Sequence, residues 1–121
     1  MQLTTLFAVP LGATRVSDCS RLNGELTKLF LEAEKDPSKY ANKQRNSVAL
    51  KEVFESRFDL FSWQHPSVAE LRELVMRNLY QFVASLSRMP NDLAGRLQVR
   101  ADSWFHVTRS GGYFTSHNHP N

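Results

Sequence analysis

Two histidines near the end of the sequence, His117 and His119, have the residue type and the spacing that suit metal chemistry. On an extended strand, side chains two positions apart point to the same face and begin about 7 Å apart. Two imidazoles in that arrangement can reach one metal ion, and imidazole suits iron, zinc, copper and nickel. The pattern therefore predicts a metal site whose third ligand comes from elsewhere. Two solvated histidines near a chain end are the alternative.

Four further side chains in this region are predicted to line a pocket. Because alternate residues of a strand share a face, Tyr113 and Thr115 are predicted to lie on the same face as the two histidines. Trp104 and His106 are predicted to share a face of the preceding segment for the same reason. Ordinary strand packing is the alternative role for Trp104, Tyr113 and Thr115. For His106, the alternatives are a buried, hydrogen-bonded residue and a supplementary metal ligand.

The elements that must position these residues are two strands and a turn. Apolar and polar residues alternate over 97–108, which is typical of a strand. The sequence Ser110-Gly111-Gly112 predicts a turn, since glycine adopts positive φ freely. A second strand is predicted over 113–119, and it carries both histidines.

The region before residue 97 is predicted to be mainly helical. Thr, Phe and Val in residues 3–9 favour a first strand, which Pro10 would end or confine to an edge. A helix capped by Ser17 or Asp18 is predicted to end at Pro37, because proline cannot donate to the helical ladder. The apolar positions with helical spacing in this segment are Leu22, Leu26, Leu29, Phe30 and Ala33.

The middle of the chain is predicted to be a polar loop over 36–50 followed by a long helix. Residues 48–61 are ambiguous and suit a short helix followed by an extended piece. Ser67 and Glu70 form a capping-box pattern that predicts a helix from Ser67 to about Met89. Its apolar face is predicted to pack on a sheet, with a groove for a partner helix as the alternative. That face consists of Val68, Leu71, Val75, Leu79, Phe82, Val83 and Leu86.

The composition of the 121-residue chain excludes several classes of protein. It is 41% hydrophobic and 22% charged, which is typical of a folded domain rather than a disordered chain. The net charge is +3, but the arginines are scattered among acidic residues, which argues against a nucleic-acid partner. The single cysteine, Cys19, excludes an internal disulfide and is predicted to be a half-buried apolar residue. No apolar run approaches the roughly 20 residues of a membrane span, and no targeting signal is visible, so a cytoplasmic location is predicted.

The end of the sequence resembles a family of 2-oxoglutarate- and Fe(II)-dependent oxygenases. The resemblance rests on residues 103–113, a tryptophan-led strand with a Gly-Tyr turn, and on the His-x-His-Pro box at residues 117–120. The order of the preceding elements is also similar, and it includes a polar loop with Asn46 and Ser47. His106 departs from the family, whose members often have asparagine or another polar residue there. In the family, a distal histidine ligand and an arginine that binds 2-oxoglutarate follow the box, and this sequence contains neither.

The resemblance implies an α+β fold in which N-terminal helices pack on the first strands of a double-stranded β-helix, or jelly roll. One domain, 1–121, would then consist of a strand and helices over 1–96 and the first jelly-roll strands over 97–121. Eight strands with their turns need on the order of 80–100 residues. We therefore expect the barrel to be incomplete in this chain, which would be the N-terminal fragment of a longer protein.

The function implied by the resemblance is that of a dioxygenase that hydroxylates a small molecule or a peptide. His117 and His119 would supply the first part of the Fe(II) site. Either both would bind the iron, or one would bind it and the other would lie next to that ligand. The cosubstrates would be 2-oxoglutarate and O₂. We expect the chain alone to be inactive because it lacks the distal histidine and the arginine. Two alternatives are a non-enzymatic domain that binds a protein through its helix face, and a cupin-like three-histidine metal enzyme that does not use 2-oxoglutarate.

Overall fold

A computed structural model of the chain describes residues 2–6, 9–43 and 52–115, which contain both helices and short strands. The helices are α1 (Ser20–Glu34), α2 (Pro37–Tyr40), α3 (Pro66–Ser87) and α4 (Asn91–Ala94), with a 3-10 helix at Leu60–Ser62. The strands are β1 (Gln2–Leu6), β2 (Val9–Ala13), β3 (Val53–Glu55) and β4 (His106–Thr108). They form two antiparallel pairs, β1–β2 and β3–β4. The expected α+β class is confirmed, and no helix in the described ranges is long and apolar enough to cross a membrane.

A first strand is present as predicted, but the N-terminal region forms a hairpin whose second strand, which contains Pro10, was not predicted. The strand β1 ends at Leu6, and Pro10 lies opposite Thr5 in the second strand of the pair. A two-stranded sheet consists only of edge strands, so a proline without an N–H is tolerated there. All five residues of β2 are exposed.

The core forms where α1 meets the segment that leads into β4. The ring of Phe105 stacks on Phe30 with centroids 4.1 Å apart, and it also contacts Phe54 at 5.7 Å and Trp63 at 5.8 Å. Phe105 is therefore enclosed by aromatic rings from three other segments. The predicted apolar face of α1 is confirmed, since Leu22, Leu26 and Ala33 are buried and Leu29 and Phe30 pack against the same cluster.

The ends of α1 differ from the prediction by a few residues. Cys19, rather than Ser17 or Asp18, is the residue before the first helical turn, and it is half-buried as predicted. Asp18 has a left-handed φ of 54°, so the chain turns sharply there. Pro37 does not end α1 but begins α2, where proline is favoured because the first helical N–H has no partner inside the helix. Part of the predicted polar loop is therefore helical.

The long helix α3 begins and ends within two residues of the predicted limits, but its predicted cap is wrong. His65 is the capping residue, and its Nδ1 accepts a hydrogen bond from the backbone N–H of Ser67 at 3.3 Å. The helix packs mainly on α1, α4 and the 3-10 helix rather than on a sheet. Val68 is fully buried, whereas Val75 and Leu86 are 40% and 45% exposed. Only the first turns of the predicted apolar face therefore belong to the core.

The predicted strand over 97–108 is shortened to β4, because its partner β3 has only three residues. The two-residue alternation nevertheless holds just before β4, where Ser103 and Phe105 are buried and Trp104 is 38% exposed. Ser103 is buried because its carbonyl and hydroxyl oxygens accept backbone hydrogen bonds from the 3-10 helix, at 2.9 and 2.8 Å. The predicted order within 48–61 is reversed in the described part, where β3 precedes the 3-10 helix.

The glycine turn after β4 is confirmed. Gly111 has a φ of 82°, which favours glycine, and the N–H of Gly112 donates to the carbonyl of Arg109 at 2.9 Å. The chain then runs back, with Phe114 in a β-bridge. The predicted strand over 113–119 lies only partly within the described residues, and Asn46 and Ser47 lie outside them.

A polar junction joins α1 to α3. The carboxylate of Glu25 accepts a hydrogen bond from the Ser67 hydroxyl and forms an ion pair with Arg21. Arg21 also pairs with Glu70 at 2.7 Å. The Ser67 hydrogen bond, followed by the Arg21 hydrogen bond, lowers the pKa of Glu25 below its ordinary value.

Replacing Ser67 with alanine is expected to raise the pKa of Glu25 toward its ordinary value, because the largest contribution to its lowering is lost. A carboxylate with a lowered folded-state pKa contributes stability above its unfolded pKa of about 4.3, and that contribution is lost as the pH falls through the folded-state value. As the pH is lowered, the part of the stability that depends on ionised Glu25 should therefore decrease less in Ser67→Ala than in the unchanged protein. Carbon-13 NMR titration of the Glu25 carboxyl group measures the shift. Ser85→Ala, which removes a hydroxyl from the exposed part of α3, is the matched control, and an unchanged Glu25 titration in Ser67→Ala would contradict the prediction.

Candidate functional site

The structure describes four of the six residues that were predicted to form the site. Trp104, His106, Tyr113 and Thr115 lie in the described part of the chain, and the two predicted metal ligands, His117 and His119, lie outside it. Within residues 2–6, 9–43 and 52–115, no group of three or more His, Cys, Asp or Glu side chains could hold a metal ion. The metal site therefore stays a prediction.

His106 is the best-connected polar side chain among the four. It lies directly opposite Glu55 in the β3–β4 pair, and its Nε2 is 3.0 Å from the Glu55 Oε2. The same Nε2 is 3.1 Å from the indole Nε1 of Trp104. Trp104 and His106 are therefore close together, as predicted. His106 is therefore hydrogen-bonded, as one alternative proposed, but the burial in that alternative is wrong, since His106 is an exposed residue with a side chain that is 31% exposed.

The two contacts of His106 Nε2 compete for one position on the ring. The indole N–H of Trp104 can only donate, whereas an ionised Glu55 can only accept. One imidazole nitrogen cannot accept from Trp104 and donate to Glu55 at the same time. The bond to the carboxylate is the stronger because it is charge-assisted. Glu55 therefore fixes the orientation of the imidazole and leaves Nδ1 as its second polar atom.

Two aromatic rings, those of Trp104 and Phe114, lie beside the His106 imidazole. Phe114 lies against the imidazole with a centroid distance of 4.5 Å, and Phe58 lies 4.8 Å from Trp104. In an extended segment Phe114 points to the face opposite Tyr113 and Thr115, and it is Phe114 that contacts His106. Tyr113 is 58% exposed and Thr115 is exposed, so their predicted role in lining the same pocket stays a prediction.

Sequence reasoning did not find Glu55 as a partner of His106. The two residues are separated by 51 positions, and neither has a local motif that links it to the other. The pairing follows only from the register of β3 on β4, in which Glu55 is opposite His106. Only a prediction that β3 pairs with β4 could have indicated from the sequence that Glu55 contacts His106.

A second concave site, which the sequence did not indicate, lies on another side of the core. Its volume is about 340 Å³, and four segments form its walls: α1, α2, the chain after β3 and the chain before α3. Tyr40 and Trp63 are in contact there, with ring centroids 4.8 Å apart. Lys39, Arg57 and Asp59 bring charge to the same walls. Its residues lie in four separate stretches of the sequence, so no spacing pattern could reveal the cavity.

Comparison with known proteins does not indicate a function for the chain. No family model, curated protein or solved structure matches the chain. Three features of the chain therefore indicate its function: the histidine pair of the sequence, the Glu55–His106 pair, and the charged aromatic cavity beside α2.

Proposed function

We propose that this chain supplies the helical front and the first strands of the double-stranded β-helix of an Fe(II)- and 2-oxoglutarate-dependent dioxygenase. The observation that carries the proposal is the His-x-His-Pro box of residues 117–120, which follows the tryptophan-led segment and its glycine turn. The contacts of that segment support it. Trp104 contacts His106, and the turn at Gly111 brings Phe114 against the same imidazole.

The donor atoms available at this end of the chain fit an iron ion. His117 and His119 would hold Fe(II), because imidazole is a ligand that iron accepts readily in sites of two histidines and one carboxylate. When bound, Fe(II) and 2-oxoglutarate would supply the activation of O₂ for hydroxylation of a C–H bond. Glu55 would orient His106 in the manner that carboxylates orient histidines around metal sites.

Metal binding by the histidine box is the first test of the proposal. Anaerobic addition of Fe(II) to the 121-residue chain should broaden the NMR signals of His117 and His119 before those of the other two histidines. Changing either histidine to alanine should weaken binding by more than the roughly 10–100-fold that is typical of changes beside a metal ligand. His65→Asn is the matched control, since asparagine also caps helices and α3 is preserved. Fe(II) binding that survives the double change His117→Ala/His119→Ala would contradict the proposed ligands.

Succinate formation from 2-oxoglutarate is the second test. We expect none from the 121-residue chain, because the sequence holds no distal histidine and no arginine in the positions that the family uses. We expect iron-dependent succinate formation from a product that also supplies those two residues. Iron and O₂ use by that product without 2-oxoglutarate would favour a cupin-like three-histidine enzyme. Absence of iron binding, with no loss of stability in chelator, would favour a non-enzymatic interaction domain.

A further inference from the structure

The charges around the cavity beside α2 leave an excess of positive charge. Arg57 forms an ion pair with Asp59 at 2.9 Å, and the other carboxylate oxygen of Asp59 accepts a hydrogen bond from the Trp63 indole at 3.1 Å. Both oxygens of the single acid on the cavity wall are therefore in use. Lys39 lies over the Tyr40 ring, with its Nζ 4.7 Å from the centroid, and forms no ion pair with a described carboxylate. The Tyr40 side chain, and after it the nearby Asp36 carboxylate, raise the pKa of Lys39. A lysine is charged at neutral pH even at its ordinary pKa, so Lys39 brings a positive charge to the cavity.

The cavity is built from segments that the backbone holds in place. The N–H of Arg57 donates to the carbonyl of Tyr40 at 2.8 Å, and Ala41 and Ser56 form an antiparallel bridge beside it. These bonds keep the segment that carries Lys39 next to the segment that carries Arg57. Cavity walls whose backbone is already ordered lose less conformational entropy when a ligand binds.

The walls combine an aromatic surface with these cations. Tyr40 and Trp63 offer two adjacent rings, and Leu29 of α1 adds an aliphatic side chain. Ligand sites in proteins are commonly of this kind, with an apolar lining and a few polar groups that set the orientation. A volume of about 340 Å³ suits a small molecule rather than a polymer.

We propose that this cavity is a binding site for a small aryl ligand that bears one carboxylate or phosphate group. The ring would lie on Tyr40 and Trp63, and the anionic group would contact Lys39 and Arg57. The proposal is independent of the iron site, since none of its residues belongs to the His-x-His-Pro segment.

NMR titration of the indole N–H signals tests the proposal directly. The chain has two tryptophans, so Trp63 reports on the cavity and Trp104 serves as an internal control. Phenylacetate and phenyl phosphate are the two probes, one for each anionic group, and we expect saturable shifts of the Trp63 signal with a Kd of about 1 mM for at least one of them. Phenylacetamide keeps the ring without the charge, and acetate keeps the charge without the ring. Both should bind at least about tenfold more weakly.

Two substitutions at the cavity should change affinity in opposite directions. Lys39→Gln removes the unpaired cation and should weaken probe binding about tenfold, the loss that corresponds to one charge-assisted hydrogen bond. Asp59→Asn keeps an oxygen for the Trp63 indole but frees Arg57 for the ligand, so it should strengthen binding. Arg100→Gln removes the same charge as Lys39→Gln from an exposed position outside the cavity and is the matched control. Circular dichroism melting of each variant reports whether the fold is retained.

The opposite pattern would overturn the proposal. The cavity does not select aryl anions if the Trp63 and Trp104 signals respond equally, or if phenylacetate and phenylacetamide bind equally well. The same conclusion follows if Lys39→Gln and Arg100→Gln have equal effects on binding. A loss of binding in Asp59→Asn with an unchanged melting temperature would contradict the assigned role of Arg57.

Discussion

Replacing Phe105 with alanine is expected to lower the free energy of unfolding by about 3–5 kcal/mol. The side chain is 7% exposed and contacts the rings of Phe30, Phe54 and Trp63. Its removal exposes three aromatic surfaces to one cavity, which the surrounding helix and strands cannot fill by a local movement. Domains of this size have a total stability of about 5–15 kcal/mol, so the loss is a large fraction of it.

Urea denaturation followed by circular dichroism measures the change caused by Phe105→Ala. Phe58→Ala is the matched control, because it removes the same ring from a position that is 48% exposed and contacts Trp104 alone among the described aromatic rings. We expect a loss of about 1 kcal/mol or less for the control. Similar losses for the two variants would show that Phe105 is not the centre of the core.

Gly112→Ala is expected to destabilise the protein by about 1–3 kcal/mol, the usual cost of forcing an atom into a packed site. A Cβ at this position would lie 2.8 Å from the carbonyl oxygen of Glu52, 2.9 Å from the Thr108 methyl group and 3.0 Å from the carbonyl oxygen of Arg109. Two of these atoms belong to the backbone and cannot rotate away. The Glu52 carbonyl also accepts the N–H of Arg109 at 2.8 Å, so a movement of Glu52 would strain the hydrogen bond beside the β3–β4 pair.

Gly24→Ala is the control for Gly112→Ala and should have the opposite sign. Gly24 lies within α1, and nothing is within 4 Å of the position of an added Cβ. Alanine is favoured over glycine inside a helix by roughly 0.5–1 kcal/mol, so the melting temperature should rise. The packing described for these positions would be contradicted if Gly24→Ala lowered the melting temperature, or if Gly112→Ala left the melting temperature unchanged.

Helical segments were the part of the fold that the sequence predicted well. The limits of α3 and the buried face of α1 follow from apolar spacing over many residues, which is a local property of the chain. The turn at Gly111 follows from glycine at positive φ. The predicted strand over 97–108 was wrong in its length. Alternation records which side chains are buried, but a strand also needs a partner of the same length, and β3 has three residues.

Within the candidate site, the sequence predicted the residues on one segment but not their partners. Trp104 and His106 are two positions apart, and their contact was predictable from that spacing. Glu55 and Phe114 reach His106 through strand pairing and through the turn, respectively. The capping box predicted for Ser67 and Glu70 is replaced by the His65 ring, which caps α3, while the Ser67 hydroxyl donates to Glu25.

The sequence by itself determined the α+β composition, the long amphipathic helix, the glycine turn and the His117–His119 spacing, because each depends on residues close together in the chain. Tertiary structure alone decided which carboxylate meets His106, which rings enclose Phe105, and that Lys39, Arg57 and Trp63 share one cavity. Those contacts join segments separated by long stretches of chain, and their geometry is set by the pairing of β3 with β4 and by the packing of distant segments in the core. Local periodicity carries no information about that packing.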